Sequence, residues 1–271
     1  MKASDDGKKR GKTKKAAGEK AKKQKTEKRG SPAPASLSEE RESGIGTLGE
    51  RTLHSLLKLR YEPDPACHEV TVCGYVADIY RDGRITEIQT GNFTKMKKKL
   101  AVLLEYCPVN VVYPIERKKT IVWIDPESGE ATEPRKSPKI GNIYDGFREL
   151  CSLGELLRHP ALTVTLLPFD VCEQRLQDGW GKGGKRGCHR VERIPTAYGE
   201  EKILHGAEDF LALIPDSLPE EFRCADFSAA CGIRSRPASY VLLALTLAGA
   251  VERIGRDKHG YLYVRRREDD R

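Results

Sequence analysis

A mixed α/β fold followed by a small helical module is the architecture this sequence predicts, on three observations. Residues Glu69 to Thr90 (EVTVCGYVADIYRDGRITEIQT) have the β-branched, alternating character of a hairpin. A helix-length segment and a continuous apolar run follow, the order of a β–helix–β unit. From Gly206 the pattern changes to short helices closed by a second, smaller hairpin. With 38% apolar and 32% charged residues in 271, one or two domains of a water-soluble protein are expected.

The N-terminal 36 residues stand apart. They carry thirteen Lys and Arg against four Asp and Glu, a net of +9 where the whole chain has +8, so the remainder is close to neutral. Such a segment lacks the apolar residues for a core and is read, with the Ser/Gly-rich stretch to residue 46, as a disordered basic tail and linker. No signal-like or membrane-length apolar run appears, and the expected location is cytoplasmic, with no membrane partner. Eight scattered cysteines without a C-x-x-C pair read as free core thiols, with a zinc site (Cys67, His68, Cys73 or Cys172, Cys188, His189) as the outside alternative.

Thr47-Leu48-Gly49-Glu50 has capping-box spacing and opens a helix to about Arg60. Leu53, Leu56 and Leu57 form its apolar stripe, and Glu50, His54 and Lys58 recur every four residues as a charged row. In the hairpin, Val70 to Tyr80 reads as one strand and Arg84 to Thr90 as the next, joined by Asp82-Gly83, a pair suited to a type I′ turn. That register sets Tyr80 against Ile85, Asp78 against Glu87 and Val76 against Gln89. Asp78, Glu87 and Gln89 then share a face with Val70, Val72 and Val76. Two facing carboxylates repel, and a hard divalent cation is the natural bridge.

Phe93 to Tyr106 is expected as a helix, basic at its start, and Val109 to Ile115 as a buried strand parallel to the second hairpin strand. Then come a strand at Thr120 to Ile124, a turn at Asp125 to Gly129, a basic loop at Arg135 to Lys139 that includes Lys136, a helix at Tyr144 to Arg158 and a strand at Leu162 to Glu173. Residues 179–205 read as a basic Gly-rich linker. Within it Gly179, Gly184 and Lys185 fit G-x-x-x-x-G-K, but Arg186 replaces the Ser/Thr and no helix follows, which excludes a nucleotide loop. Lys182, Lys185, Arg186 and Arg190 remain as phosphate contacts of a basic loop.

Residues 206–265 place helices at Glu208 to Ile214, Cys224 to Cys231 and Pro237 to Leu247, then strands at Val251 to Ile254 and Tyr261 to Val264. This order resembles a winged helix-turn-helix. Its third helix is apolar nearly all round, so DNA contact falls to Arg234, Arg236 and Ser239 at its start and Arg256 and Lys258 in the wing; a packing or dimerisation element is the equal alternative.

The hairpin, its flanking helices and the following β–helix–β unit resemble the PD-(D/E)XK, or restriction-endonuclease-like, nuclease superfamily over about residues 47–178. The resemblance implies a mixed-sheet nuclease domain in which Asp78, Glu87 and Gln89 take the catalytic positions. Asp78 and Glu87, with Glu50 from the preceding helix, would hold Mg²⁺ or Mn²⁺, while Lys58 and Lys99 resemble nucleic-acid contacts. Gln89 stands where the family has lysine, which implies stricter dependence on the metal. His54, His68 and His205 are the histidines available as general bases. The expected activity is metal-dependent hydrolysis of phosphodiester bonds in DNA; the competing reading is a non-catalytic nucleic-acid-binding or regulatory protein, with a homodimer left open.

Overall fold

Tight turns determine how the first half of the chain folds. The structure, a computed structural model, describes residues 48–179 and 188–266, the side chains of 48–51 excepted. Helix α1 (Leu48–Tyr61) leads into three antiparallel strands, β1 (His68–Val72), β2 (Tyr75–Arg81) and β3 (Arg84–Ile88). The single strand expected over Val70 to Tyr80 is broken at Cys73-Gly74, where both residues have positive φ (49° and 79°), as do Asp82 (49°) and Gly83 (74°) in the next turn. Each two-residue loop supplies the twist that a hairpin needs. The first one changes which residues share a face. Val70 pairs with Ala77 and Val72 with Tyr75, so neither valine lies beside the acids as expected.

Helix α2 (Phe93–Leu104) then carries the chain to β4 (Val109–Ile124), which runs parallel to β3 with Ile85 opposite Val109 and Ile88 opposite Val112. The expected parallel crossover is therefore present. The two strands foreseen over 109–124 are one, 16 residues long. Its outer half pairs with the two-residue β5 (Arg135–Lys136). In place of one helix over 144–158 there are two 3₁₀ stretches, Ile143–Gly146 and Cys151–Arg158, around a single α-turn, α3 (Phe147–Leu150). Gly154, at φ 61°, is the residue that breaks it.

Strand β6 (Leu162–Leu176) lies parallel to β4 along its whole length. The segment read as a linker contributes β7 (His189–Tyr198) and β8 (Lys202–Leu204), both antiparallel to β6. The large mixed sheet thus has the order β1-β2-β3-β4-β6-β7, with β5 on β4 and β8 on β6. The α/β class is borne out.

Beyond it come α4 (Gly206–Leu211), β9 (Glu221–Arg223), α5 (Cys224–Ala230), α6 (Ser235–Ala248), β10 (Val251–Asp257) and β11 (Gly260–Arg265). The last three strands form a small sheet in the order β10-β11-β9. The turn between β10 and β11 is only Lys258-His259, because the segment foreseen as a long wing loop is strand, with an irregularity between Arg253 and Gly255.

Two apolar clusters fill the two faces of the sheet. On one face Leu53 and Leu57 of α1 meet Ile79, Ile88, Val112, Leu167, Phe169 and Val171. On the other, Phe93, Leu100 and Leu103 of α2 join Ile85, Val111 and Leu166 in a cluster that continues without a gap to Phe227, Val241, Leu242 and Leu245 of the C-terminal helices. Cross-links follow the same path: Tyr144 Oη donates to the Leu213 carbonyl (3.0 Å) and Arg158 to that of Thr246 (2.9 Å). Helix α6 is therefore a packing helix along most of its length. The eight cysteines are unpaired, but they are half-buried or exposed rather than core residues. Among the described residues no helix is long and apolar enough to cross a membrane.

Candidate functional site

The β2–β3 hairpin is regular for three pairs, Arg81 with Arg84, Tyr80 with Ile85 and Ile79 with Thr86, the register expected from the Asp82-Gly83 turn. The next pair would be Asp78 with Glu87, and the next hydrogen-bonded rung Ala77 with Ile88. Instead the Ile88 amide donates to Asp78 Oδ2 at 2.8 Å. The Asp78 amide in turn points at Glu87 Oε1, a long contact of 3.4 Å. Strand alternation changes phase at this point, for Ala77 belongs to the α2-side core and Ile79 to the α1-side core. Meanwhile β3 stays on β4, with the Gln89 amide donating to the Val112 carbonyl at 2.9 Å. The two strands fork, and the two carboxylates occupy the fork.

Both flanking helices send a basic side chain to it. Lys99 of α2 reaches Glu87 Oε2 at 2.6 Å and also donates to the Val76 carbonyl at 2.6 Å. His54 of α1 brings Nε2 to 3.1 Å from Asp78 Oδ2, off the axis of a hydrogen bond. No described residue donates to Asp78 Oδ1. Glu87 is nearly buried, at 4% exposure.

The two acids are tuned in opposite directions. Burial pushes both upward, but at Asp78 the nearby His54, the Ile88 amide and the Lys99 charge outweigh it and hold the carboxyl below its usual range. At Glu87 burial and the Asp78 charge prevail over Lys99, and the carboxyl is raised. This split gives one firmly ionised acid beside one that holds its proton more readily.

Of the other residues singled out in the sequence, Gln89 turns its amide to the Gly91 carbonyl, with no acid among its described hydrogen-bond partners. Glu50 lies in α1 one turn before His54, but its side chain is outside the described residues. His54 and Lys58 of the charged row face the hairpin. Lys58 is 8% exposed and bound to Glu69 at 2.7 Å, which leaves its ammonium committed within the protein. Lys136, Arg234, Arg236, Arg256 and Lys258 are exposed. Lys182, Lys185 and Arg186 lie outside the described residues. His68 bonds the Glu62 carbonyl and His205 the Leu162 carbonyl, both away from the fork.

Among the described residues no group of three or more His, Cys, Asp or Glu is assembled as a metal cage. A two-carboxylate site still has the chemistry of Mg²⁺, which keeps several waters and takes one or two carboxylates plus substrate phosphate. Asp78 and Glu87 fit that donor set.

A family model described as "Domain of unknown function (DUF8091)" matches residues 51–205, from α1 through the last strand of the large sheet. The chain belongs to this family. The DUF8091 match includes the fork, both its acids, Lys99 and His54, and ends just before α4. An "Uncharacterized protein" of Treponema pallidum (strain Nichols) is 29% identical over 216 residues, covering 79% of this chain and 86% of that one. No solved structure matches.

Proposed function

We propose that the protein is a metal-dependent nuclease of the PD-(D/E)XK type that acts on DNA, with its site in the β2–β3 fork. The observation that carries this reading is the fork itself: Asp78 interrupts the ladder beside Glu87 on a strand that continues by a parallel crossover into β4. The order α1-β1-β2-β3-α2-β4, with three antiparallel strands and then a parallel one, supports the likeness drawn from the hairpin.

Asp78 and Glu87 would hold Mg²⁺ or Mn²⁺, which when bound lowers the pKa of a coordinated water and polarises the phosphoryl oxygen. The protein's own groups do the rest. Lys99 supplies from α2 the positive charge that Gln89, just past the end of β3, does not supply, and it stands 2.6 Å from the glutamate. A substrate phosphate entering the fork would meet that ammonium, which is where charge develops during phosphoryl displacement. His54, beside Asp78, can accept a proton when neutral.

A second reading rests on the same contacts. Lys99 pairs with Glu87 and the Ile88 amide donates to Asp78, so both acids have partners within the protein, and a nuclease-like domain that only binds nucleic acid would look alike. The C-terminal elements suit either reading. Their order, helix, strand, helix, helix, strand, strand, matches that of a winged helix, and α6 is buried along most of its length, so the contacts expected for DNA are the exposed Arg234, Arg236 and Ser239 at its start and Arg256 and Lys258 near the hairpin tip.

The test is incubation of supercoiled plasmid and of branched and single-stranded DNA with Mg²⁺ or Mn²⁺, using wild type, Asp78→Ala and Glu87→Ala. Cleavage by wild type that is lost in both variants and in EDTA is the expected result. Undiminished cleavage in EDTA would sink the mechanism, and silence in all three proteins favours the binding reading.

A further inference from the structure

The outer half of the sheet gathers charge of the opposite sign. On β6 the side chains of Phe169, Val171, Glu173 and Arg175 alternate onto one face, and the first two belong to the core beneath α1. Glu173 follows them at 0% exposure, and three cations converge on it: Lys119 at 2.9 Å, Arg175 at 2.6 Å and Arg190 at 3.2 Å. Glu116 Oε2 also lies 2.9 Å from Lys119, so two carboxylates face the three cations. One positive charge is left over, and the cations are held within a few ångströms of each other, an arrangement that repels itself unless an anion or bulk water answers it.

A polar cleft of about 160 Å³ opens beside these cations, lined by Lys119, Arg175 and Lys139, by Glu116 and Ile121, by Ser137 and Gly141, and by Arg117, whose guanidinium is held by Asp170. Its outer wall is pinned to β4 at both ends, since the Ser137 amide donates to the Lys119 carbonyl (2.8 Å) and the Gly141 amide to that of Arg117 (2.7 Å). Gly141 is required there. A Cβ at this position would stand 1.7 Å from the Glu116 carbonyl oxygen. The loop thereby presents Lys139, exposed and without a described side-chain partner, at the mouth. Arg135 and Lys136, exposed on β5 opposite Ile121 and Thr120, continue the positive surface.

We propose that this cleft binds the phosphodiester backbone of a nucleic acid, with Lys119, Lys139 and Arg175 contacting phosphates and Glu173 holding the cations in place. A polyanion is favoured over a single small anion because the cations are strung along β4, β5 and β6 in an open cleft instead of enclosing one point. Lys119 lies seven residues beyond Val112, the partner of Ile88 at the fork, a separation of about 20 Å along an extended strand. That distance spans about six nucleotides of one DNA strand. The inference borrows from the reading above only the choice of ligand; the acid pair takes no part in it.

The experiment measures binding of a labelled single strand and a duplex of 20 nucleotides to the full chain in EDTA, between 50 and 200 mM NaCl, for wild type, Lys139→Glu, Lys119→Gln and Arg175→Gln. The basic N-terminal residues are common to all four, so differences between variants report on the cleft. Each substitution is expected to weaken binding about three- to tenfold and to lower the slope of log affinity against log salt by about one. Lys139→Glu disturbs no described side-chain contact, so wild-type affinity and slope in that variant, with an unchanged melting temperature, would overturn the proposal. So would inorganic pyrophosphate bound in the cleft while oligonucleotide binding is insensitive to all three substitutions. Plasmid cleavage in Mg²⁺ by the same proteins separates the two readings. An inactive wild type with intact cleft effects fails only the nuclease assignment, and an active enzyme without cleft effects fails only this one.

Discussion

Glu87 and Glu173 are both glutamates buried on inner strands of the same sheet, yet their carboxyls are driven in opposite directions. Glu87 has one cation, Lys99, and a second carboxylate, Asp78, as neighbours, and it is raised by burial and by that repulsion. Glu173 is as deeply placed, but Lys119, Arg175 and Arg190 outweigh its desolvation and it is lowered. Burial is common to both, so the sign is decided by the partners. Under the proposed function, one site on the sheet would take a cation and the other an anion, as gripping a phosphate chain at two points requires.

The sharpest way to break this contrast is to neutralise one acid at each end. Asp78→Asn or Glu87→Gln is expected to reduce metal-dependent cleavage by about a thousandfold, of the size seen when transition-state electrostatics are removed; plasmid nicking rates read it. Glu173→Gln leaves Arg175 and Arg190 without their carboxylate and Lys119 with Glu116 alone, and is expected to destabilise the fold by about 3 kcal/mol, whereas Glu87→Gln should change stability by less than about 1 kcal/mol because it relieves the Asp78 repulsion as it loosens Lys99. Urea midpoints compare them. Equal losses from the two would end the comparison.

Removing the cation instead asks how far Glu87 depends on its one partner. Lys99→Gln strands a buried carboxylate and is expected to cost about 2 to 3 kcal/mol near neutral pH, less as Glu87 takes up its proton, and the double variant with Glu87→Gln should recover most of it. The smallest effect is in the pH profile. Asp78 has a lowered folded pKa, so its contribution is present above the usual 3.8 and is lost as pH falls through the folded value. Glu87 has a raised one, so the folded state binds the extra proton and stability declines as pH climbs from the usual 4.5 to the folded value. In Glu87→Gln the second decline should vanish from unfolding curves while the first persists.

Much of the fork could be read before the structure. Asp82-Gly83 fixes a two-residue turn, and arithmetic from the turn places Asp78 near Glu87. The Cys73-Gly74 turn escaped because V-C-G-Y reads as an unbroken apolar run and cysteine is no signal for positive φ. β7 escaped because HRVERIPTAY mixes charges with a proline, the composition of a linker; its charges in fact face Glu173 and Glu116 across the sheet. His54 was named as an available base and Lys99 as a nucleic-acid contact, but their contacts with Asp78 and Glu87 were hidden for a different reason. Helix periodicity shows which residues line up, but only packing shows that His54 and Lys58 turn inward to the hairpin. The cation cluster was invisible altogether, since Lys119 and Glu173 are 54 residues apart and meet only through the parallel pairing of β4 and β6.

The hydrogen bond from the Ile88 amide to Asp78 has a practical consequence. Where a hairpin would use a carbonyl, which never titrates, this one uses a carboxylate. The Ile88 ¹⁵N–¹H resonance is therefore an internal indicator for the fork: it should move when Asp78 is protonated or when a cation takes the carboxylate. The fork's ligands can be followed by a spectrum of the resting protein, before any substrate is known.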